Sequence, residues 1–517
     1  MSTTTHSPTV ADSGPAAARV IDMNRSTPRV APSVEGPRRA VPRSVGATVA
    51  FACAAMLVSY LPFSAVNGVL GTIGVATGAG AADLQWLTDA FALALAATVL
   101  SADALGDLFG RRRVALAGLS LTALGAVVGF VGGGLRGAAA VHLLWVGQAV
   151  AGLGAGAVMS STLALITAAV VEAQARSRAI AAWSAALVVG LGGGPFLAGA
   201  VVDMTWPWRW LFPPLTVLAL AVIAFGATRA GESAAATGRR LDWPGQLTGA
   251  VGIAALIYGV IQGGASGWAS PTAVVGVGVA VLALAAFVVI ERRSPSPLLR
   301  PQLFASGGFV AAGLAATTVL FAVIGVVFVL SLFFAHQHVT DLGIAVRLGC
   351  LFGANAIASL ATPRLQAALG PRVVLVTGLL VAAAGTATLL TITGATGLGG
   401  VAWRLLGVGA GAGLVAATSS VIAVQSVPVA LAGMAGAANN AMRQLGGALG
   451  TAVIGVVLAT QLDAGSSYAD AVHACAATIV ALLAAVTLVA AALLFGQRTR
   501  RRPAPTLAPL SPTPSAP

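Results

Sequence analysis

The stretch DALGDLFGRRRVALAGLSLTALGAVVG, residues 103–129, decides the fold. One apolar run ends in an acid, a short turn and a triplet of arginines, and a second apolar run begins at once. The stretch GPRVVLVTGLLVAAAGTATL, 370–389, repeats the part that starts at Gly110, at an offset of 260 residues. A second echo pairs GLGAGA at 152–157 with GVGAGA at 407–412, an offset of 255. Each turn of the first pair follows an even-numbered apolar segment. Two halves of six segments, with two further segments between them, account for both offsets. Secondary transporters are commonly built from such repeats, with the ligand site where the halves meet.

Working outward, the sequence holds fourteen apolar segments: 47–73, 85–105, 113–133, 138–165, 178–202, 209–228, 245–264, 271–290, 307–334, 343–362, 373–393, 400–424, 432–460 and 472–495. Each is close to the 20 or so residues that a bilayer-spanning helix needs. The chain of 517 residues is 57% hydrophobic and 8% charged, against about 25% charged in soluble domains. This excludes an ordinary soluble enzyme and a disordered protein. The frequent Gly and Ala suit close helix packing in lipid, and β-barrel alternation is absent. The reading is therefore all-α and integral to the membrane.

The net charge of +13 comes from arginine alone, since the sequence contains no Lys. No P-loop or Schiff-base chemistry is available without one. With the N-terminus inside, 23 of the 28 arginines fall in inside loops and tails. The positive-inside rule then explains the charge, and nucleic acid is not an expected partner. Cys53, Cys350 and Cys475 are isolated, and the five histidines have no metal-ligand spacing. Residues 1–45 and 497–517 read as basic, disordered tails. Between them lie a six-segment bundle over 46–230, two inserted segments with their links over 231–305, and a second six-segment bundle over 306–496.

The turn at 103–113 resembles the cytoplasmic signature of the major facilitator superfamily, GxLaDrxGrR, through Asp107, Gly110, Arg111 and Arg112. Asp103 stands at its first Gly and Leu108 at its usual basic residue. GLGGGPFLAG, 190–199, is similar to the antiporter signature GxxxGPxxGG through Gly190, Gly194, Pro195 and Gly199. WRWLF at 208–212, LDWPG at 241–245, GMAGAANNAMRQLGGALGTA at 433–452 and ERRSPSPLLRPQLF at 291–304 narrow the resemblance to the fourteen-helix drug:proton antiporters, over roughly residues 46–496. It implies two six-helix bundles around a central cavity, alternately open to each side. It also implies export of amphipathic drugs or antibiotics, no cofactor beyond a coupling proton, and a multi-pass monomer of the plasma membrane. Asp107, Gly110, Arg111 and Arg112 would latch one conformation at the cytoplasmic face. Gly190, Gly194, Pro195 and Gly199 would shape a gating helix.

The family pattern breaks where coupling is expected. Its first helix carries an acid in LDxTIVNVALP; here LPFSAVNGVLG, 61–71, keeps Val66 and Asn67 but has Pro62 at the acid. Its fourth helix carries RxxQGxG; here QAVAGLG, 148–154, has Gln148 at the Arg. A lone charge in the membrane interior costs about 2.5–3.5 kcal/mol on insertion scales, so losing both members together avoids an orphan. Asp89, about one turn into the second segment, is the acid that could replace them; an interfacial acid touching water is the competing reading. Asp103 lies on roughly the same face, nearer the inner end. In the thirteenth segment Asn439, Asn440, Arg443 and Gln444 form the densest polar cluster, with Arg443 roughly 16 Å deep at 1.5 Å per residue. Asn67, Asp89, Gln148, Asn439, Asn440, Arg443 and Gln444 are thus the candidates for substrate or coupling contact. An uncoupled facilitator or importer, and a non-transporting receptor on the same fold, are the competing functions. A membrane enzyme lacks clustered acids, an activated nucleophile and metal ligands. Trp206, Trp208 and Trp210 read as an interfacial belt.

Overall fold

A computed structural model describes residues 44–233, 242–294, 297, 299–428 and 431–496. The two tails fall outside these residues, as do a few helical side chains, that of Asp103 among them. The described chain is built from fifteen α-helices and short 3-10 turns. These are α1 (Val45–Gly68), α2 (Leu70–Thr77), α3 (Ala81–Phe109), α4 (Arg111–Gly132), α5 (Gly137–Ala169), α6 (Ala173–Asp203), α7 (Phe212–Arg229), α8 (Trp243–Ser266), α9 (Pro271–Arg293), α10 (Gly307–His336), α11 (Asp341–Leu369), α12 (Pro371–Ala387), α13 (Leu398–Gln425), α14 (Ala432–Asp463) and α15 (Tyr468–Phe495).

Among the described residues, thirteen helices are long and apolar enough to cross a membrane. They do not include α3, whose 29 residues reach roughly 43 Å at 1.5 Å per residue. The apolar run at 47–73 is not one helix. It breaks at Val69, where φ is −125° and the Val69 N–H turns back to Val66 O at 3.1 Å, and α2 carries on beyond.

Glycine contacts expose the internal repeat more sharply than the sequence does. On α4 and α5, a methyl group at Gly118 would meet Gly154 O at 2.7 Å; on α12 and α13, one at Gly411 would meet Gly378 O at 2.6 Å. Gly152 and Gly156 press on the carbonyls of Phe91 and Leu95 in α3, and Gly409 and Gly413 on those of Leu351 and Asn355 in α11. So α3 matches α11 and α4 matches α12 at an offset of 260, while α5 matches α13 at 257. The structural partner of residues 152–157 is therefore 409–414, not 407–412. A Gly-x-Gly pattern repeats every two residues, so the sequence match slips by two with little loss.

Small residues matter here because helices in lipid associate by packing rather than by the hydrophobic effect. The pair α8 and α9 forms a hairpin of its own, with Gly259 against Gly276 and Val277. It rests through Ile257 and Ile261 on Ala448 and Ala452 of α14 and on Trp86 and Leu93 of α3.

The two sets of helices close on each other at the end away from the α3–α4 turn. There Thr72 Oγ1 of α2 donates to Asp341 Oδ2 of α11 at 2.8 Å. Gly199 of α6 lies where a methyl would strike Leu342 N at 2.6 Å, Gly71 of α2 sits against Ala335 of α10, and Gly455 of α14 sits against Gln85 of α3.

Candidate functional site

The helix with Gly190, Gly194 and Pro195 is α6, and its glycines let it lie directly on α1. A methyl at Gly190 would meet Leu57 O at 2.5 Å, and one at Gly194 would strike Ser64 and Ala65. Ser64 Oγ donates to Gly190 O at 2.8 Å. Pro195 has no N–H for the carbonyl one turn earlier, and its Cα lies against Gly68, at 2.6 Å from where a methyl there would sit. Gly199 then joins α6 to α11. The four residues thus form one continuous seam along α6, first to α1 and then to α11.

The two positions where the charged pair is missing do meet. Gln148 Nε2 of α5 donates to Pro62 O of α1 at 3.2 Å. A neutral hydrogen bond stands where the family has an acid and an arginine. Asn67 is buried beside it and donates to Phe63 O at 2.8 Å. The remaining oxygens, Asn67 Oδ1 and Gln148 Oε1, are buried without a donor.

On α14 the predicted cluster divides. Asn439 is fully buried and turns away from the centre, its Nδ2 donating to Ser420 Oγ of α13 at 3.4 Å. Asn440, Arg443 and Gln444 turn inward. Gln444 Nε2 donates to Tyr60 Oη of α1 at 2.8 Å, and Tyr60 Oη donates to Met159 Sδ of α5 at 3.5 Å. Asn440 Nδ2 donates to the same sulfur at 3.2 Å, and the Arg443 guanidinium donates to Asn440 Oδ1. This network ties α1 and α5 to α14, across the two repeats. Phe91 lines it from α3, 5.9 Å from the Tyr60 ring and stacked on Phe63 at 4.9 Å. Tyr60 and Met159 went unmarked in the sequence, although a tyrosine in mid-segment is itself a signal, since its hydroxyl needs a partner when buried.

Asp89 is not at a wet interface. It is 0% exposed, and its carboxylate makes no close, well-aligned hydrogen bond. It faces Thr451 of α14. One turn earlier Gln85, 2% exposed and with Oε1 also unpartnered, lies against Gly455. The spacing of Gln85 and Asp89 puts both on one face of α3. The interfacial reading of Asp89 is thereby removed.

At the α3–α4 turn, Asp107 and Arg111 pair at 2.9 Å one helical turn apart, and Arg111 Nη1 reaches Ala164 O of α5 at 3.2 Å. Gly110 has φ 99°, a conformation that favours glycine. The Arg112 N–H donates to Glu232 Oε1 at 2.9 Å, its Nη1 to Ala230 O at 3.0 Å, and the Arg111 N–H to Ser233 O at 2.9 Å. Glu232, which the sequence reading passed over, is the strut of this corner. Its burial against the turn holds its carboxyl above the ordinary glutamate value, while Arg113 and backbone N–H groups act the other way. These partners lie in the first repeat or in the link that directly follows it. Trp208 departs from the expected belt: it is buried against Phe212, while Trp206 and Trp210 are exposed.

The family model described as Major Facilitator Superfamily matches residues 52–451. The multidrug resistance protein Stp of Mycobacterium tuberculosis (strain CDC 1551 / Oshkosh) is 34% identical over 77% of this chain and 73% of its own length. The cephamycin export protein CmcT of Amycolatopsis lactamdurans is 31% identical over 78% and 83%, and the methylenomycin A resistance protein of Streptomyces coelicolor 29% over 83% and 88%. The fold is shared with the human organic anion transporter MFSD10, at TM-score 0.60 and 16% identity over 86% of this chain and 99% of that one. It is shared too with the xylose transporter XylE of E. coli, at 0.59 and 14% over 86% and 98%. The protein is a multi-pass membrane transporter and not an enzyme. The match across most of its length and the relatives on either side of 30% identity agree: the chain belongs to the Major Facilitator Superfamily.

Proposed function

We propose that the protein exports amphipathic small molecules from the cell by alternating access, driven by protons. The observation that carries this reading is the polar network Tyr60–Met159–Asn440–Gln444, which lies between the two repeats. The named activities of the relatives, drug and antibiotic resistance and export, supply the direction of transport. The arginine distribution puts both termini and the α3–α4 turn at the cytoplasmic face of the plasma membrane. The end at which Thr72 meets Asp341 is then the outer one.

Asp89 is our candidate for the proton carrier. A buried carboxylate that faces a neutral hydroxyl and, among the described residues, has no ion-pair partner is costly unless it takes a proton or gains one, and movement of α3 against α14 would open it to water. The neutral Gln148–Pro62 contact motivates a second reading, an uncoupled facilitator. Everted membrane vesicles carrying the full chain separate the two. Uptake of a panel of antibiotics and lipophilic dyes should rise with an imposed pH gradient, and Asp89→Asn should remove that rise. Flux indifferent to the gradient would establish facilitation. Gradient-driven flux unchanged in Asp89→Asn would move the proton elsewhere. No flux of any compound would discard the transport reading of this site.

A further inference from the structure

The central network is rich in donors and short of acceptors, and this narrows the ligand. Arg443 has five N–H donors and a charge that proteins do not remove. Its guanidinium bonds Asn440 Oδ1, and among the described residues no carboxylate lies within ion-pair range of it. The residue as a whole is only partly buried. Asn440 Nδ2 and Tyr60 Oη both end on Met159 Sδ, and Gln444 Nε2 also approaches it at 3.6 Å. A thioether is a weak acceptor, so three polar side chains share one poor partner. Asp89 faces α14 at Thr451, eight residues beyond Arg443 and therefore about 12 Å further along the helix. The wall beside the network is apolar and aromatic: Phe63 and Phe91 stack at 4.9 Å, and Met159 is 2% exposed.

We propose that the ligand is an amphipathic organic anion, with its carboxylate or equivalent acid group on Arg443. This rests on the reading of the network as the ligand site. The acid supplies the acceptors that Arg443, Asn440 and Tyr60 lack, and it neutralises a charge held deep in the bilayer. Charge-assisted and bidentate bonds of this kind are the strong ones.

The test uses the purified full-length protein in detergent and three probes of one shape: 1-naphthaleneacetate, its methyl ester, and the analogue with a trimethylammonium group in place of the carboxylate. Ligand-induced stabilisation against heat reads the affinity of each. The acid is expected to bind at least about tenfold more tightly than the ester, and the cation least tightly. Arg443→Gln should bring the acid down to the level of the ester, and the unfolding temperature of the variant without ligand reports that it is folded. Arg443→Lys should keep part of the preference, since it retains charge without the fork. Equal or tighter binding of the ester or the cation by the wild type, absence of acid binding, or an acid preference that survives Arg443→Gln overturns the assignment. Flux in the vesicle assay without any such preference removes the anion assignment alone. A clear preference without flux keeps it and removes the transport reading.

Discussion

The two seams that join the repeats are related by the repeat itself and differ in chemistry. At one, α11 lies on α6, with Gly349 against Phe196, Gly192 against Phe352 and Gly199 against the backbone of Leu342. At the other, α3 lies on α14, with Asp89 facing Thr451 and Gln85 against Gly455. At the offset of 260, Gly349 is the counterpart of Asp89. One seam is a contact of small and aromatic groups along its length, with the buried Asp341 at its end beside Gly199. Its twin buries an acid and an amide further along, and α8 lies across it. A symmetric scaffold thus keeps the acid of one seam at the helix end and places that of the other within the helix, at Asp89. The inserted pair of helices has an evident structural place, because α8 covers the seam that carries Asp89.

The largest expected effect separates the seams directly. Asp89→Asn should lower gradient-driven flux by at least about tenfold in everted vesicles while leaving the fold intact, as a coupling acid would. The reverse exchange, Gly349→Asp, places a charge against the Phe196 ring, 2.8 Å from the new Cβ. Because Gly349 is only partly buried, the crowding against the ring should cost about 1–3 kcal/mol, as overpacking does, read as a fall in thermal stability in detergent. If Gly349→Asp were tolerated, the seams would not differ in the way described.

A finer comparison uses the paired glycines. At Gly199 an added methyl meets backbone, so Gly199→Ala should cost about 1–3 kcal/mol, as overpacking does. At Gly455 it meets the end of the flexible Gln85 side chain, so Gly455→Ala should cost less than Gly199→Ala in the same unfolding measurement. Equal costs would mean that Gln85 is held rigidly.

The repeat-related turns provide the next test. Gly110 and Gly370 both have positive φ, 99° and 80°. Alanine at either should cost about 1 kcal/mol for the backbone alone. At Gly110 the new Cβ also lies 2.9 Å from the Glu232 carboxyl, whereas at Gly370 nothing is within 4 Å. Gly110→Ala should therefore be the more damaging, measured as the difference in unfolding temperature.

The smallest effect is the pH dependence of that corner. Burial raises the Glu232 carboxyl above its ordinary value of 4.5, so the folded state holds this proton more tightly than the unfolded one. Its contribution to stability is complete below 4.5 and declines as pH rises through the folded value. Glu232→Gln should flatten stability against pH above 4.5 at this corner; an unchanged profile would show that Arg112 and Arg113 already compensate the charge.

Sequence alone determined the membrane class, the near-complete count of spans, the repeat and the family. Those rest on apolar length, arginine placement and short motifs, which are local properties of the chain. It also showed that both members of the acid–arginine pair are absent together, which avoids an unpaired charge in lipid; the contact of Gln148 with Pro62 is a finding of the structure. What it could not decide was which face of a helix meets which neighbour. Asn439 and Asn440 are adjacent in sequence, yet they point to α13 and α5, because successive residues on a helix diverge by about 100°. The two-residue slip between GLGAGA and GVGAGA could be corrected only by the carbonyls that those glycines meet. Tyr60, Met159, Thr451 and Glu232 gain their roles from partners more than a hundred residues away in every case. The central polar network and the enclosure of the buried acid exist only once the two repeats pack together, since each is formed by side chains from both of them.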